Sequence, residues 1–425
     1  MTVSFLLISG CVLAWMLSPE ALIILSNNIG VAGVAFFFSL GGGLVLASLA
    51  AAVLHNPRLN ERPDPPAFAS LANTFGTVPA MAVLLASRLC LVLFLPTGML
   101  VTAGFAFNET FLYRFPAFAF SALLLACVLI LHLISRQCAI MVQVLFVGTT
   151  VACLLLLVFA GLPTLLAGLS DLSLPAATSV FSPTGLFTAL LLFLGYDQVR
   201  SVEGSNRRAS VVGALMICGG VYTLWAAVSL SQVPGDTLAA STLPHVLVAR
   251  EILGQSGTMI MAIVVISGTC GLVNGLFLLT NDSLRHMSVA FFHRPPSVHQ
   301  ERFLPVLYAA SIGLALAAGL AGSSQLEIFI YGSLLLWLLT VTMLCFAATK
   351  GVHRTKRLPL FLGYPLCALH LIAVLWLAAT ADKPGALILF CLVALSIATV
   401  CSSLWLFATG RGLNPSPLND QGEVQ

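Results

Sequence analysis

The side chains able to handle charge within this chain are few and far apart. Asp197 closes the apolar run GLFTALLLFLGYD, Glu20 follows a proline in CVLAWMLSPEALIIL, and Arg88 lies inside AVLLASRLCLVLF. A charge surrounded by hydrocarbon is costly, so such residues mark ion pairs or routes for solutes and protons. A carboxylate in such a place can hold an amine, a metal cation or a proton, and a guanidinium can hold an anion. Ser267 and Thr269 in VISGTCG offer oxygens to a sodium ion, although hydroxyls in membrane helices also bond to their own preceding turn. The signatures H-E-x-x-H and G-x-S-x-G are both absent, and no His/Asp cluster falls near one membrane face. No catalytic residue and no metal ligand is therefore assigned, and an enzyme is the weakest reading. The eleven cysteines lack C-x-x-C or Cys/His ligand spacing and read as small hydrophobes.

The elements that must position these residues follow from composition. The chain is 59% hydrophobic and 8% charged, whereas soluble domains carry roughly 25% charge. The sequence therefore predicts an all-α polytopic membrane protein, with the lipid bilayer and a small-molecule substrate as its partners and no nucleic acid. Apolar runs predict 12 spans, near residues 3–26, 30–54, 78–106, 115–134, 138–162, 184–200, 209–231, 256–284, 304–321, 325–348, 358–380 and 385–408. The first is expected to be a retained span, since it lacks a basic leader and an A-x-A site. HVLVAREILG (245–254) has helical spacing suited to lying along the outer surface. No further soluble domain is expected, and the polar tail after Gly410 reads as disordered.

Basic residues set the orientation. With both termini cytoplasmic, the inner connections hold 14 Lys and Arg residues and the outer ones hold 3, with Arg88 inside a span. The expected location is a cell membrane, inner or plasma. The small residues Gly43, Ala47 and Ala51 share one face of the second span, which suits close helix packing. Most histidines fall in connections, including His55 and His245, and receive no chemistry; His132 and His370 read as hydrogen-bonded interior residues.

Two spans look interrupted. From Gly185 to Tyr196 the apolar run is 12 residues, about 18 Å of helix, against roughly 30 Å of hydrocarbon. Gly195 frees the backbone to unwind. In the first span Pro19 removes a donor and clashes with the preceding turn, so the helix should break just before it. Glu20 then lies in the first turn of the outer half, where a helix N-terminus favours an anion. Each break alone has a bland account, a simple kink or a short tilted helix. Together, at spans one and six, they predict a 5+5 inverted repeat with a midplane binding site. Residues 1–162 would form the first repeat (spans one to five), 163–349 the second (spans six to ten), 350–410 spans eleven and twelve, and 411–425 a cytoplasmic tail.

At these residues the chain resembles the amino acid–polyamine–organocation (APC) superfamily of permeases, whose LeuT-like fold is shared with sodium-coupled neurotransmitter transporters. Phe193-Leu194-Gly195-Tyr196-Asp197 is similar to the F-x-G-[FY]-[DE] of their sixth span, and Glu203-Gly204-Ser205-Asn206 to the following E-x-x-N-P, with Arg207 in place of the proline. FASLANTFG (68–76), GLVNGLFLLTNDSLRHMS (271–288) and LHNP (54–57) fall where the family has its pre-third-span segment, the close of span eight and the end of span two. The resemblance covers spans one to ten and implies discontinuous helices one and six. It departs in span one, where Ala14, Trp15 and Met16 replace a glycine-rich break whose amides hold a substrate carboxylate. Side chains there hinder close backbone approach, which speaks against an ordinary α-amino acid.

The resemblance implies a secondary transporter or exchanger of a small organic solute, an amino acid or related amine or organic acid, and no enzyme. A transporter-like sensor or uncoupled facilitator is the alternative. It also implies that Ala14, Trp15, Met16 and Ser18 line one side of the pocket. The carbonyls of Phe193 and Leu194 beside Gly195 would face a substrate amine, with Asp197 as an acidic gate. No cofactor is implied; coupling to Na+ through Ser267 and Thr269, or to H+ through Asp197 or Glu20, stays open. The family's alternative of a lysine in span five is absent, because residues 137–162 carry no basic side chain. Arg88, about 15 Å deep, pairs with Glu20 or Asp197, snorkels, or anchors an anionic substrate group. Oligomeric state is not indicated.

Overall fold

The computed structural model describes residues 2–55, 67–110, 116–168, 182–197, 207–292, 298–320, 322–350 and 357–408, and the described residues form helices and turns without a strand. The expected E-x-x-N segment (203–206), Asn56-Pro57, the cytoplasmic end of span six and the tail 411–425 lie outside them. So do Arg58, Arg62, Arg114, Arg200, Arg294, Arg354, Lys356 and Arg411, counted above for orientation.

The first span is two helices, α1 (Thr2–Met16) and α2 (Pro19–Ala32), bent by 47°. Ser18 is the extended N-cap of α2, its hydroxyl accepting from the Ala21 amide at 3.4 Å, and Pro19 takes the first helical position. Proline fits there because that amide lacks an intrahelical partner in any case. The break thus follows from two consecutive residues, Ser18 and Pro19. α2 runs beyond the expected boundary to Ala32 and turns at Gly33 (φ +56) into α3 (Ala35–Leu54).

The short helix α4 (Ala67–Phe75) precedes α5 (Thr77–Thr110), the third span, and Gly76 at φ +90 makes the corner between them. α6 (Ala117–Ile134) and α7 (Arg136–Gly168) are spans four and five. α8 (Pro183–Leu192) is the outer half of span six; its 10 residues span about 15 Å. Ser182 caps α8, its hydroxyl accepting from the Gly185 amide, and at the other end the chain leaves helical geometry at Phe193. The run-length argument therefore located the second interruption correctly.

α9 (Arg207–Gln232) is followed by a six-residue helix, α10 (Gly235–Ala240), and by α11 (Pro244–Phe292). Within α11 the helix breaks at Leu253 and at Gly254 (φ +59), so 245–254 is a helical arm set off from span eight, as its spacing predicts. His245 is a correction: read as a connecting residue, it is fully buried in the first turn of α11. α12 (Val298–Ala317), α13 (Ser324–Lys350), α14 (Arg357–Thr380) and α15 (Pro384–Ala408) complete the chain. Among the described residues nine helices are long and apolar enough to cross a bilayer, and the bent pair α1–α2 makes a tenth. Of the twelve expected spans, the sixth and ninth appear as shorter apolar helices, Pro183–Leu192 and Arg302–Ala317.

Side chains sort as lipid requires. Ile388, Leu389, Leu392, Val393, Ile397, Val400 and Leu404 of α15 are exposed, whereas Trp15, Trp225, Trp337, Tyr196, Tyr222 and Phe193 are fully buried. The second span packs as its small residues predict: a Cβ on Gly43 would reach the Ala189 backbone of α8 at 3.0 Å, and Ala47 and Ala51 are fully buried. Arg136 of α7 donates to both Asp282 oxygens of α11 at 2.9 and 2.8 Å, tying spans five and eight.

Candidate functional site

A helix that stops inside a membrane leaves carbonyls and amides without helical partners, and these need protein or water. The two interruptions solve this jointly. The Tyr222 hydroxyl, from α9, donates to the Met16 carbonyl at the end of α1 and lies 3.3 Å from the Leu192 carbonyl at the end of α8. Both loose ends thus meet at one phenol. A hydroxyl has a single proton, so one carbonyl at a time is served and the other keeps a lone pair free. Replacing Tyr222 with phenylalanine should cost about 1 kcal/mol of stability from the lost hydrogen bond, read as a lower melting temperature in detergent. A wild-type melting curve would mean the two breaks do not rely on this contact.

Trp15 completes the meeting. Gly195 adopts φ +94, and a Cβ there would lie 2.6 Å from the Trp15 ring. On its other side the indole lies along span eight, where a Cβ on Gly275 would be 3.6 Å from Trp15 Nε1 and 3.2 Å from the Gln143 amide nitrogen. The aromatic bulk of Trp15 in span one is therefore matched by glycines facing it in spans six and eight. Trp15 and Met16 are almost wholly buried, and the indole fills the volume between the breaks. Gln143 belongs to a polar web: Asn274 donates to the Gln143 side chain at 2.7 Å and to the Ala139 carbonyl at 2.9 Å.

Asp197 has no exposed surface, and Arg88 is 2% exposed. Arg88 Nη2 donates to Asp197 Oδ2 at 2.8 Å, and Trp337 Nε1 of α13 donates to Oδ1 at 2.6 Å. Of the partners expected for Arg88, the structure selects Asp197; Glu20 lies half-buried at the start of α2. Each carboxylate oxygen thus holds one donor. Arg88 Nε and Nη1 have no hydrogen-bond partner among the described residues.

Beside this pair, Tyr196 packs edge-on against Trp337 with centroids 5.8 Å apart. His55 Nε2 lies 2.8 Å from the Tyr196 carbonyl, so it carries the proton and donates. His370 Nδ1 is 2.7 Å from the Leu366 carbonyl and must donate, which leaves Nε2 to accept from the Tyr196 hydroxyl at 3.2 Å. The interior hydrogen-bonded reading of His370 is correct. His55, assigned no chemistry, is buried and fastens span two to the break in span six. Sequence reasoning missed Trp337 and Tyr222, which have no local signature, and gave Tyr196 and His55 no role although both fall in quoted motifs; burial of a polar tip identifies all four.

A narrow pocket beside the first break is lined by Leu13, Ala14, Leu17, Val147, Thr150, Ser267, Gly268 and Gly271. Ser267 Oγ is 2.8 Å from Thr150 Oγ1, and the two hydroxyls also bond to the carbonyls of Ile263 and Phe146. Of the two hydroxyls expected to offer oxygens to sodium, Ser267 lines this pocket and Thr269 does not, since residues two apart on a helix point about 200° from one another. Thr150 of span five takes its place. Ser18, expected to line the substrate site, commits its hydroxyl to capping α2.

No family model matches the sequence, and no curated protein matches it. Solved structures do. The chain is similar to a manganese transporter of Eremococcus coleocola, at 14% identity and a TM-score of 0.55 over 97% of this chain and 95% of that one. It is similar to MhsT in complex with L-phenylalanine, at 13% identity and a TM-score of 0.57 over 89% and 98% of the two chains. A Na+-coupled sialic acid symporter in a substrate-bound outward-open state gives 11% identity and a TM-score of 0.55 over 89% and 90%. The likeness shows the fold: an all-α, LeuT-like 5+5 inverted repeat with helices one and six discontinuous.

Proposed function

We propose that this chain is a secondary transporter or exchanger of a small organic solute, working by alternating access around the meeting point of its two interrupted spans. The observation that carries the reading is the convergence of both breaks on Tyr222 and on the Trp15–Gly195 contact. Broken backbone at membrane depth is tolerated where it is shielded by protein or lines a cavity, and transporters place their sites there. The charges at the span-six break are one of each sign, Asp197 and Arg88, paired with one another. That set suits an amino acid or a related amine or organic acid better than a divalent cation, which calls for a surplus of carboxylates. The fold relatives include a protein solved with L-phenylalanine and a sialic acid symporter, both handling organic solutes that carry a carboxylate.

The proposed setting is a cell membrane, inner or plasma, with both termini cytoplasmic. Residues 1–162 and 163–349 are proposed as the two repeats, with 350–410 as spans eleven and twelve. Ala14, Trp15, Met16, Phe193, Leu194 and Gly195 are proposed as the lining of the solute route. For coupling, Thr150 and Ser267 beside the first break offer oxygens to a sodium ion, and Glu20 and Asp197 offer carboxylates to a proton. Reconstituted vesicles test the reading. Saturable uptake that accelerates with solute preloaded inside is expected, and uptake driven by a sodium gradient against a pH gradient separates the coupling ions. Because Trp15 fills the meeting point, a sensor that binds without releasing solute across is the second reading; binding without counterflow would select it.

A further inference from the structure

We propose that Arg88 anchors an anionic head group, a carboxylate or sulfonate, on the solute. The proposal rests on the transporter reading and names the chemical class its site takes. A guanidinium presents five N–H donors arranged as two parallel forks, one across Nε and Nη2 and one across Nη1 and Nη2. Asp197 receives Nη2 alone, and its second oxygen is held by Trp337. A single Nη2 proton is therefore spent, and one fork remains whole. Nε and Nη1 are buried and unpartnered among the described residues, in a side chain only 2% exposed, and the whole fork joins one of them to the second proton of Nη2.

Buried N–H groups on a cation are among the most costly to leave unpaired. Structural pairing with Asp197 alone is better served by a contact that uses both carboxylate oxygens, as Arg136 Nη2 does with Asp282. The indole of Trp337 instead holds Asp197 to one prong and keeps the second fork vacant. An oxyanion with two oxygens on one atom is the ligand that fits a vacant fork.

The position suits a solute-responsive contact. α5, which carries Arg88, packs chiefly on α11, α13, α15 and α6, whereas α8 packs on α3, α14 and α2. The Arg88–Asp197 pair joins α5 to the segment that follows α8, so a ligand on Arg88 bears on the hold of that segment. The pair is neutral in sum. An ammonium on the same solute, set against Asp197 or the carbonyls after α8, would keep the occupied site neutral too. A solute with only the anionic head would bring one net negative charge and require an accompanying cation.

The test uses thermal stabilisation of the purified full chain in detergent. Amino acids are each compared with the amine formed by removing the carboxylate and with the acid formed by removing the amine; methanesulfonate and sodium sulfate complete the panel. Stabilisation is expected from members bearing a carboxylate or sulfonate and not from the matched amines. Arg88→Lys keeps the charge but lacks the fork, and should weaken that binding roughly 10- to 100-fold. Should Arg88→Lys fold poorly, the charge-neutral double variant Arg88→Gln/Asp197→Asn serves instead and should lose the stabilisation. Equal stabilisation by the amines, unchanged affinity in both variants, or no stabilisation by any anionic-headed organic member overturns the proposal. A response to sulfate alone also overturns it, marking an inorganic anion site. Saturable counterflow of amines that ignores Arg88→Lys would remove the anchor and leave the carrier. Anionic-head binding without counterflow would remove the carrier and leave the anchor.

Discussion

Replacing Asp197 with asparagine should destabilise the protein by about 3–5 kcal/mol, as should replacing Arg88 with glutamine, because each change strands a buried charge. The pair has 3% and 0% side-chain exposure, so solvent neither screens it nor rescues the survivor. The double replacement should recover much of the loss, since it leaves two neutral groups able to bond to each other. Melting temperatures of the four proteins in one detergent form a double-mutant cycle, and a coupling energy of 0.5–3 kcal/mol or more is the range for groups in one network. Additive losses would show that the two charges are held separately. Trp337 adds an asymmetry. Its N–H donates to Asp197 Oδ1, and asparagine can still accept there through its carbonyl, whereas Asp197→Ala strands the indole as well as the guanidinium. Asp197→Ala should therefore be the more damaging substitution.

The second large effect belongs to Gly195. Alanine at φ +94 is a strained backbone state for an L-residue, and its Cβ would press 2.6 Å from the Trp15 ring. The backbone term is roughly 1–2 kcal/mol and overpacking against a buried ring typically adds about 1–3 kcal/mol. A combined loss of about 2–5 kcal/mol is expected for Gly195→Ala, measured as thermal stability and yield of folded protein. Pairing it with Trp15→Phe should relieve the steric part and leave the backbone part, so partial rescue is the expected result. Full rescue would mean that the left-handed turn costs nothing, and no rescue would mean that Trp15 is not the obstacle. Trp15→Ala alone should cost about 3–5 kcal/mol, the usual range for removing a large buried aromatic side chain.

These two results bear on one physical question, how a membrane protein keeps two broken helices together. After the Phe193 amide bonds back to the Leu190 carbonyl the chain to Asp197 is turn rather than helix, and side chains from distant spans hold it. Tyr222 takes the carbonyl at its outer edge, His55 the carbonyl of Tyr196, and Arg88 and Trp337 the carboxylate of Asp197. These holds come from separate helices.

What the amino-acid sequence determined by itself was whatever depends on near neighbours. Membrane helices follow from 59% hydrophobic residues, because hydrocarbon leaves the backbone few other ways to satisfy its hydrogen bonds. The first break was legible because Ser18 and Pro19 cap and start a helix whatever surrounds them. The second was legible because an apolar run too short to cross ends in a glycine and an acid. Tertiary structure alone decided which charge Arg88 meets, since Glu20 and Asp197 both offer a carboxylate and only helix placement brings one of them within 2.8 Å. It also decided that Thr150, not Thr269, faces Ser267, a matter of how two helices are rotated about their axes. And it set Trp15 against Gly195, turning an apparent loss of glycine in one span into a fitted contact with glycine in another. Pairings between residues more than a hundred positions apart leave no trace in local spacing, because the free energy that selects them belongs to the packed assembly of helices.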